Sequence, residues 1–466
     1  MINKLKFLFP AGLALALAVA LLGFANRTSS SRFMVKVSEK EFRARLNELR
    51  QSDIDVAGVD VRSKQVYLLV DNQGKKRLQD LGFKLDLKIK ELATRGPDAK
   101  YKTPEQVAQI LAGYAKNYPD LAALAPVGKS LEGRDIVALK ITQHAHDKSA
   151  GKPTVLFNGM HHAREVMSSE VPLDIASYLL ENYGKDPKVT HWVDANEIYV
   201  LPMLNVDGNN KVWNEDSYWR KNARGGYGVD INRNYPYAWN TCNGSSGSQD
   251  AQDFRGPSAA SEPETNALMN FVTEIHPVFD ISFHSFSELV IYPYGCGSHS
   301  ETSAVVDPIG AKIAELIPSD DGSGHYTAGI APDLLYSVDG SDIDWMYHEQ
   351  HVIPYVIELN AGEQGFQPDY DAWREKTVSK IRPAWQYLLD RLDGSLVKGN
   401  IQESGPVTIH IESLGQTTPF VTDYQVHVDG SFAIVVNPGD YQLTFLKDGK
   451  KIRETHIHVD QQPIQI

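Results

Sequence analysis

The chain has 466 residues, too many for one compact core, so two or three domains are expected. Its 42% hydrophobic and 23% charged residues are ordinary for a globular protein in water. A formal net charge of −13 argues against a nucleic-acid or anionic-membrane partner, since either would want a basic surface.

In chain order, Lys4 and Lys6 precede an apolar run from Phe7 to Phe24, and small and polar residues follow. This layout predicts a secretory signal over residues 1–25, cleaved after Ala25, with a secreted, periplasmic or extracellular product free of the membrane. The alternative is a retained single anchor, because the run approaches spanning length. Residues 33–92 show the order β-α-β-β-α-β, from "RFMVKV" through "EKEFRARLNELRQ", "DVAGVDV", "QVYLLV" and "QGKKRLQDLG" to "FKLDLKI". They predict a small α+β domain, and Gly96, Pro97 and Asp98 mark a linker. Over residues 101–393, strand-like runs ("IVALKIT", "PTVLFNGM", "EIYVLPMLN", "FDISFH", "LVIYPYG", "VIPYVIEL") alternate with helical patterns such as "EVPLDIASYLLENY" and "ETNALMNFVTEI". That predicts an α/β domain, a mixed and largely parallel sheet with helices on both faces. Reactive groups then belong at the carboxyl ends of its strands. Residues 395–466 carry short alternating strands with Asp-Gly and Pro-Gly turns and no helical period, predicting a C-terminal β-sandwich. The two cysteines, Cys242 and Cys296, are compatible with one disulfide in an oxidising compartment or with two unpaired buried thiols.

The chemistry gathers first at "NGMHHAREVMSSE". It follows a strand-like run and opens into a helical pattern. His161 and Glu165 are four apart and His162 and Glu165 three apart, so on spacing alone either pair shares a helix face. "FDISFHS" brings His284 to another strand end. Two histidines and a glutamate leave a fourth position for water, a donor set used for catalytic zinc. A lone His-x-x-Glu is common by chance, and a lone histidine at a strand end is usually a hydrogen-bonded core residue. The neighbouring stretches therefore decide.

"SYWRKNARGGYGVDINRNYPYAW" supplies Arg220, Asp230, Asn232 and Arg233. "LLYSVDGSDIDWMYHEQ" supplies Tyr336 and Ile343, and "VIPYVIELNAGEQGFQP" ends a strand-like run at Glu358. With "YPDLAALAPVGKSLEGRDIVALKI", "MLNVDG", "FRGPSAASEPET" and "HSFSELVIYPYG", residues from about 101 to 393 resemble the zinc metallocarboxypeptidase family, most closely its pancreatic carboxypeptidase A/B branch. The resemblance implies a zinc-dependent enzyme that hydrolyses the C-terminal peptide bond of peptides or proteins. One zinc would be held by His162, Glu165 and His284, with His161 a neighbour. Glu358 would be the general base for a zinc-activated water, and Arg220 would polarise the scissile carbonyl. Asn232, Arg233 and Tyr336 would grip the terminal carboxylate, and Arg164 would bind substrate further from its terminus. Asp230 matches the carboxylate that orients the first zinc histidine.

Ile343 matches the floor of the specificity pocket, where an apolar residue favours large apolar or aromatic C-termini. Gly295 would keep that pocket open, and a rim carboxylate at Asp342, beside Ser341, would admit Lys or Arg. The chain departs from the family at Phe286, where a tyrosine is common. Cys242 and Cys296 also stand away from the pancreatic disulfide, in loops flanking the expected pocket, and are expected to pair with each other. Residues 33–92 resemble a short propeptide that covers the active site in a zymogen. Residues 395–466 resemble the transthyretin-like, carboxypeptidase-regulatory-like sandwich. A monomer is expected. The rival readings are a broad-specificity enzyme, a cell-wall peptidase of the same fold, and a non-catalytic binding protein on this scaffold. Arg233, Asn232 and Ile343 weigh against the cell-wall reading, and Glu358 with three ligands against the last.

Overall fold

The computed structural model describes residues 31–51, 54–85, 90–92, 96–147, 151–297, 299, 303–403, 405–416, 420–427 and 429–466, so the leader read at residues 1–25 lies outside them. The chain begins with a four-stranded sheet of β1 (Arg32–Ser38), β2 (Asp55–Asp60), β3 (Gln65–Val70) and β4 (Lys90–Leu92). The spatial order is β2-β3-β1-β4, antiparallel throughout. The stretch read as one helix after β1 is two, Glu39–Ala44 and Leu46–Gln51. Arg45 between them leaves helical geometry at φ −126°, ψ 18°. Ser38 caps the first of these helices by accepting from the Glu41 amide at 3.3 Å. Of the run read as the last strand, residues 83–85 are not strand and 86–89 lie outside the described residues, while β4 follows at Lys90.

The central sheet has eight strands: β5 (Ala122–Lys129), β6 (Asp135–Ile141), β7 (Thr154–Gly159), β8 (Glu197–Leu201), β9 (Phe279–Ser285), β10 (Leu289–Tyr292), β11 (Thr327–Ile330) and β12 (Ile353–Leu359). They lie in the order β11-β10-β12-β9-β7-β8-β6-β5. The middle, β12-β9-β7-β8, is parallel, as is β10-β11, and the other pairs are antiparallel. Every residue of β7, β8 and β9 is buried, which is why these strands read as continuous apolar runs rather than alternating ones. Two strands are not among those runs. β5 contains Pro126 and Gly128, which flank a register shift against β6, and β11 is only four residues long.

Helices with clear local signals cover the sheet. Thr103 and Gln106 close a capping box on Pro104–Asn117, with Pro104 in its first turn. Ser341 caps Asp342–Gln350 by accepting from the Asp344 amide. Because β7, β9 and β12 are neighbours and parallel, their carboxyl ends open side by side. Glu358 stands opposite His284 in register, and Gly159 opposite Phe283.

The last unit has two sheets and no helix among the described residues after Arg391. Its strands are β13 (Leu396–Asn400), β14 (Val407–Leu414), β15 (Val421–Gln425), β16 (Ser431–Val435), β17 (Gly439–Lys447), β18 (Lys450–Val459) and β19 (Ile464–Gln465). They form β16-β13-β19 and β15-β14-β17-β18. Along β14, buried positions alternate with more exposed ones, as in a sheet covered on one face, and Phe432 of one sheet meets Phe445 of the other at 6.3 Å. The unit shares a continuous apolar core with the central sheet. It is also tied by Asn437 Nδ2 to the Ala304 carbonyl at 2.7 Å and by Arg391 Nη2 to the Val436 carbonyl at 2.6 Å. No helix among the described residues is long and apolar enough to cross a membrane.

Candidate active site and metal centre

The turn after β7 places the two adjacent histidines differently. Residues 161–166 precede the helix Met167–Asn182 rather than lying in it, so the shared-helix-face reading of both His–Glu pairs does not hold. A turn closed by the Glu165 amide on the His162 carbonyl, at 3.1 Å, does the positioning instead. His162 Nδ1 lies 2.8 Å from Glu165 Oε1. His284 Nδ1, from the end of β9, lies 3.1 Å from His162 Nδ1 and 3.1 Å from Glu165 Oε2. Two imidazole nitrogens and a carboxylate thus converge on one point. All three residues are buried. The donor types and their convergence fit a zinc ion.

Around this point the charges are matched. Asp230 Oδ1 meets His162 Nε2 at 3.2 Å and accepts from the Asn232 amide at 3.0 Å. Its Oδ2 accepts from Arg220 Nη2 at 2.8 Å and Nε at 3.1 Å. A carboxylate on the far nitrogen of a ligating histidine fixes its tautomer and ring orientation. Burial alone would raise Asp230, but Arg220, His162 and Arg233 outweigh it and hold its carboxyl well below the usual range. Burial likewise opposes ionisation of Glu165, and His162 and His284 win, keeping it anionic. Arg220 Nη1 remains 3.7 Å from Glu165 Oε1, beside the converging donors. Glu358 faces the same cavity from β12. Burial, joined by the nearby Glu165 carboxylate, pushes it up to about 8, against the pull of His284, Arg220 and Arg233.

Arg233 is buried and held by carbonyl oxygens, accepting partners being Asn232 O at 2.7 Å from Nη1 and Gly244 O at 3.2 Å from Nε. Among the described residues no carboxylate pairs with it. Asn232 Nδ2 approaches His284 Nε2 at 3.4 Å, and its Oδ1 accepts from the Asp342 amide at 3.0 Å. Tyr336 lines the cavity and meets Phe42 ring to ring at 6.4 Å. Ile343, with Ile291, Val338 and Val356, gives that cavity an apolar wall. At Gly295 a Cβ would sit 2.5 Å from the Val338 carbonyl oxygen, so the glycine permits a close approach of two backbone segments. Its amide donates to both oxygens of Asp344, whose carboxyl burial pushes up to about 7. A disulfide joins Cys242 to Cys296, two residues from the carbonyl that holds Arg233.

The rim carboxylate expected at Asp342 is corrected. Asp342 borders the cavity, but its carboxylate is fully buried, with Oδ2 3.4 Å from His161 Nε2, and is not offered to a basic side chain at the rim. Burial lowers His161 to about 4, so its imidazole is neutral, 3.1 Å from Tyr235 Oη and 3.3 Å from Ser282 Oγ.

The resemblance implied that residues 33–92 cover the site, but not through which contacts. β2 crosses the cavity, which Val56, Ala57 and Gly58 help to line, leaving about 70 Å³. Asp55 holds the buried Arg164 guanidinium through both oxygens, with Nη2–Oδ1 at 3.0 Å, while Arg164 stacks over Phe366 at 4.0 Å. The Val59 amide donates to Ser287 Oγ at 2.9 Å, Arg62 pairs with Glu288 at 2.6 Å, and Arg32 pairs with Asp216 at 2.6 Å. An apolar cluster unites Val35, Phe42 and Val59 with Ile291, Ile343 and Val356. Asp55 in "DVAGVDV" carries no long-range signal that could have revealed this.

The zinc carboxypeptidase family model matches residues 107–390, so the chain belongs to that family and is by class a metallocarboxypeptidase, a hydrolase. It is 30% identical over 302 residues to zinc carboxypeptidase A 1 of Anopheles gambiae, covering 63% of this chain and 66% of that one. Against human carboxypeptidase B it is 28% identical over 306 residues, covering 63% and 72%. In fold it is similar to the carboxypeptidase A of Helicoverpa armigera, with TM-score 0.67, 22% identity, and 78% of this chain and 97% of that one covered. The structure of thrombin activatable fibrinolysis inhibitor gives 0.65, 20%, 77% and 98%.

Proposed function

We propose that the chain is a secreted zinc carboxypeptidase that removes single C-terminal residues from peptides and proteins, preferring large apolar or aromatic ones. The observation that carries this reading is one cavity in which the converging His162, Glu165 and His284 donors adjoin Glu358, an Arg233 without a carboxylate partner among the described residues, and an apolar wall around Ile343.

His162, Glu165 and His284 would hold one zinc, which would supply the Lewis acid that makes a water nucleophilic near neutral pH. Asp230 orients His162 for that task. Arg233, helped by Asn232 and Tyr336, takes the substrate's terminal carboxylate in a bidentate fork, which makes the enzyme an exopeptidase. The last side chain then enters the pocket against Ile343. Arg220 stands where it stabilises charge developing on the scissile carbonyl oxygen in a site shielded from water. Glu358 takes the proton of the attacking water and delivers it to the leaving amine. Arg164 binds substrate further from its terminus.

Residues 33–92 act as a propeptide, since β2 fills the cavity and Asp55 takes Arg164. About 70 Å³ is well below the roughly 300–1,000 Å³ of a ligand pocket. Activation requires cleavage in or after the segment around Gly96–Asp98 and departure of that sheet. Residues 1–25 serve as the secretory signal. The 395–466 unit, read as transthyretin-like, supports the catalytic domain.

Hydrolysis of blocked dipeptides ending in Phe, Leu, Lys or Arg, by chain freed of residues before about 101, tests the reading. Release of Phe and Leu that a chelator abolishes is expected. No release of any residue defeats the activity, and faster release of Lys or Arg defeats the pocket assignment alone.

A further inference from the structure

Packed on His284 is a buried polar cluster for which the proposed reaction has no use. The His161 ring stacks on the His284 ring, with centroids 5.5 Å apart and planes 21° apart. His161, Tyr235 and Asp342 are all completely buried. Asp342 is the anomaly. Neither of its carboxylate oxygens has a hydrogen-bond partner among the described residues, and the 3.4 Å approach of His161 Nε2 lacks hydrogen-bond alignment. No Lys or Arg among the described residues pairs with it. One donor atom each of His161, His284 and Asp342 lies within 4.8 Å of the others, and the Asp342 amide holds Asn232, which reaches His284 Nε2.

A buried carboxylate without a partner is strongly unfavourable unless it takes up a proton or a positive charge elsewhere matches it. Of the neighbouring carboxyls, Asp230 is matched by Arg220 and His162 and Glu165 by two histidines, while burial holds those of Asp280 and Glu358 up, towards their neutral forms. What is unmatched is the metal site itself. A divalent cation bound by one carboxylate and two neutral imidazoles keeps one net positive charge. A ring nitrogen of His284 and a carboxylate oxygen of Asp342 lie within 4.8 Å of each other, so the two charges would be close.

We infer that Asp342 is the charge partner of the loaded metal site, a positioning residue that raises divalent-cation affinity through His284 and Asn232 without ligating the ion. This rests on the zinc reading above. No Lys or Arg among the described residues matches the Asp342 carboxyl, and a bound cation would supply that match.

The test uses the full chain, stripped of metal, as wild type and as Asp342→Asn. Zinc affinity is measured by competition with a chromogenic chelator, and thermal unfolding is followed with and without zinc. The variant is expected to bind one zinc with on the order of 10–100-fold lower affinity, the size typical of outer partners of a metal ligand. Stripped of metal, it should melt at a higher temperature than stripped wild type, and zinc should raise its Tm by less. A merely structural Asp342 would lower the Tm of the stripped chain instead. Unchanged affinity, a lower Tm, or failure of the stripped variant to fold overturns the inference. So does a wild type that binds two ions and a variant that binds one, since Asp342 would then be a ligand. A wild type that binds no zinc defeats the metal reading itself, whereas equal binding by both chains leaves that reading standing.

Discussion

His161 and His162 are adjacent and chemically identical, and geometry separates them. His162 turns Nδ1 towards Glu165 and His284, whereas His161 turns inward to Tyr235 and Ser282. Replacing His162 by Ala removes a proposed ligand, so zinc affinity should fall by more than the ~10–100-fold that outer partners supply. His161→Ala should keep zinc and lose stability instead, by about 1–3 kcal/mol, because Tyr235 and Ser282 lose a partner in a dry interior. Metal analysis and thermal melts of the two variants check this, and equal zinc loss would contradict it. Spacing could not make the distinction because helical geometry begins only at Met167. The family register named His162, and the geometry is consistent with it. Asp342 shows the opposite limit, since sequence cannot tell a rim carboxylate from a buried one. Asp344 gives a pH signature. Burial sets its folded pKa at about 7, above an ordinary carboxyl near 4, so the folded state holds an extra proton between these values. Its contribution to stability is therefore full below about pH 4 and is lost as pH rises through 7, by at most about 4 kcal/mol. Asp344→Asn should flatten that part of the stability–pH curve, and an unchanged slope would show that burial is not the cause.

At the scale of elements, the buried strands β7, β9 and β12 were legible as apolar runs, and with them the places of His162, His284 and Glu358. Edge strands were harder to read, because β5 is interrupted by Pro126 and Gly128 and β11 is too short for a period. The docking of β2 on the site was illegible, since it depends on contacts between residues far apart in the chain. Gly58 permits it. A Cβ there would sit 2.7 Å from the Phe286 ring and 2.8 Å from the Phe286 carbonyl oxygen. Gly58→Val should therefore lift β2 off the cavity, and Asp55→Asn should loosen it by releasing Arg164. Both full-length variants should hydrolyse a Phe-terminated peptide faster than full-length wild type and approach the processed chain. Inhibition that persists in both would mean that the N-terminal unit does not silence the enzyme through this strand.

For the whole molecule, three units share the work proposed here. The N-terminal sheet covers the cavity through polar ties and an apolar cluster, the central unit carries every proposed reacting group on its strands and loops, and the terminal sheets extend the central core. Their number and order were legible from changes in pattern along the chain, while the interfaces between them were not. The central claim is that a single zinc among His162, Glu165 and His284 makes this molecule a carboxypeptidase. The most direct measurement is to strip the processed chain of metal, return zinc stepwise, and follow Phe release from a blocked dipeptide. Turnover should start from zero, rise in proportion to added zinc, and stop rising at one equivalent per chain. Turnover that survives stripping, or that needs a second equivalent, would contradict the account.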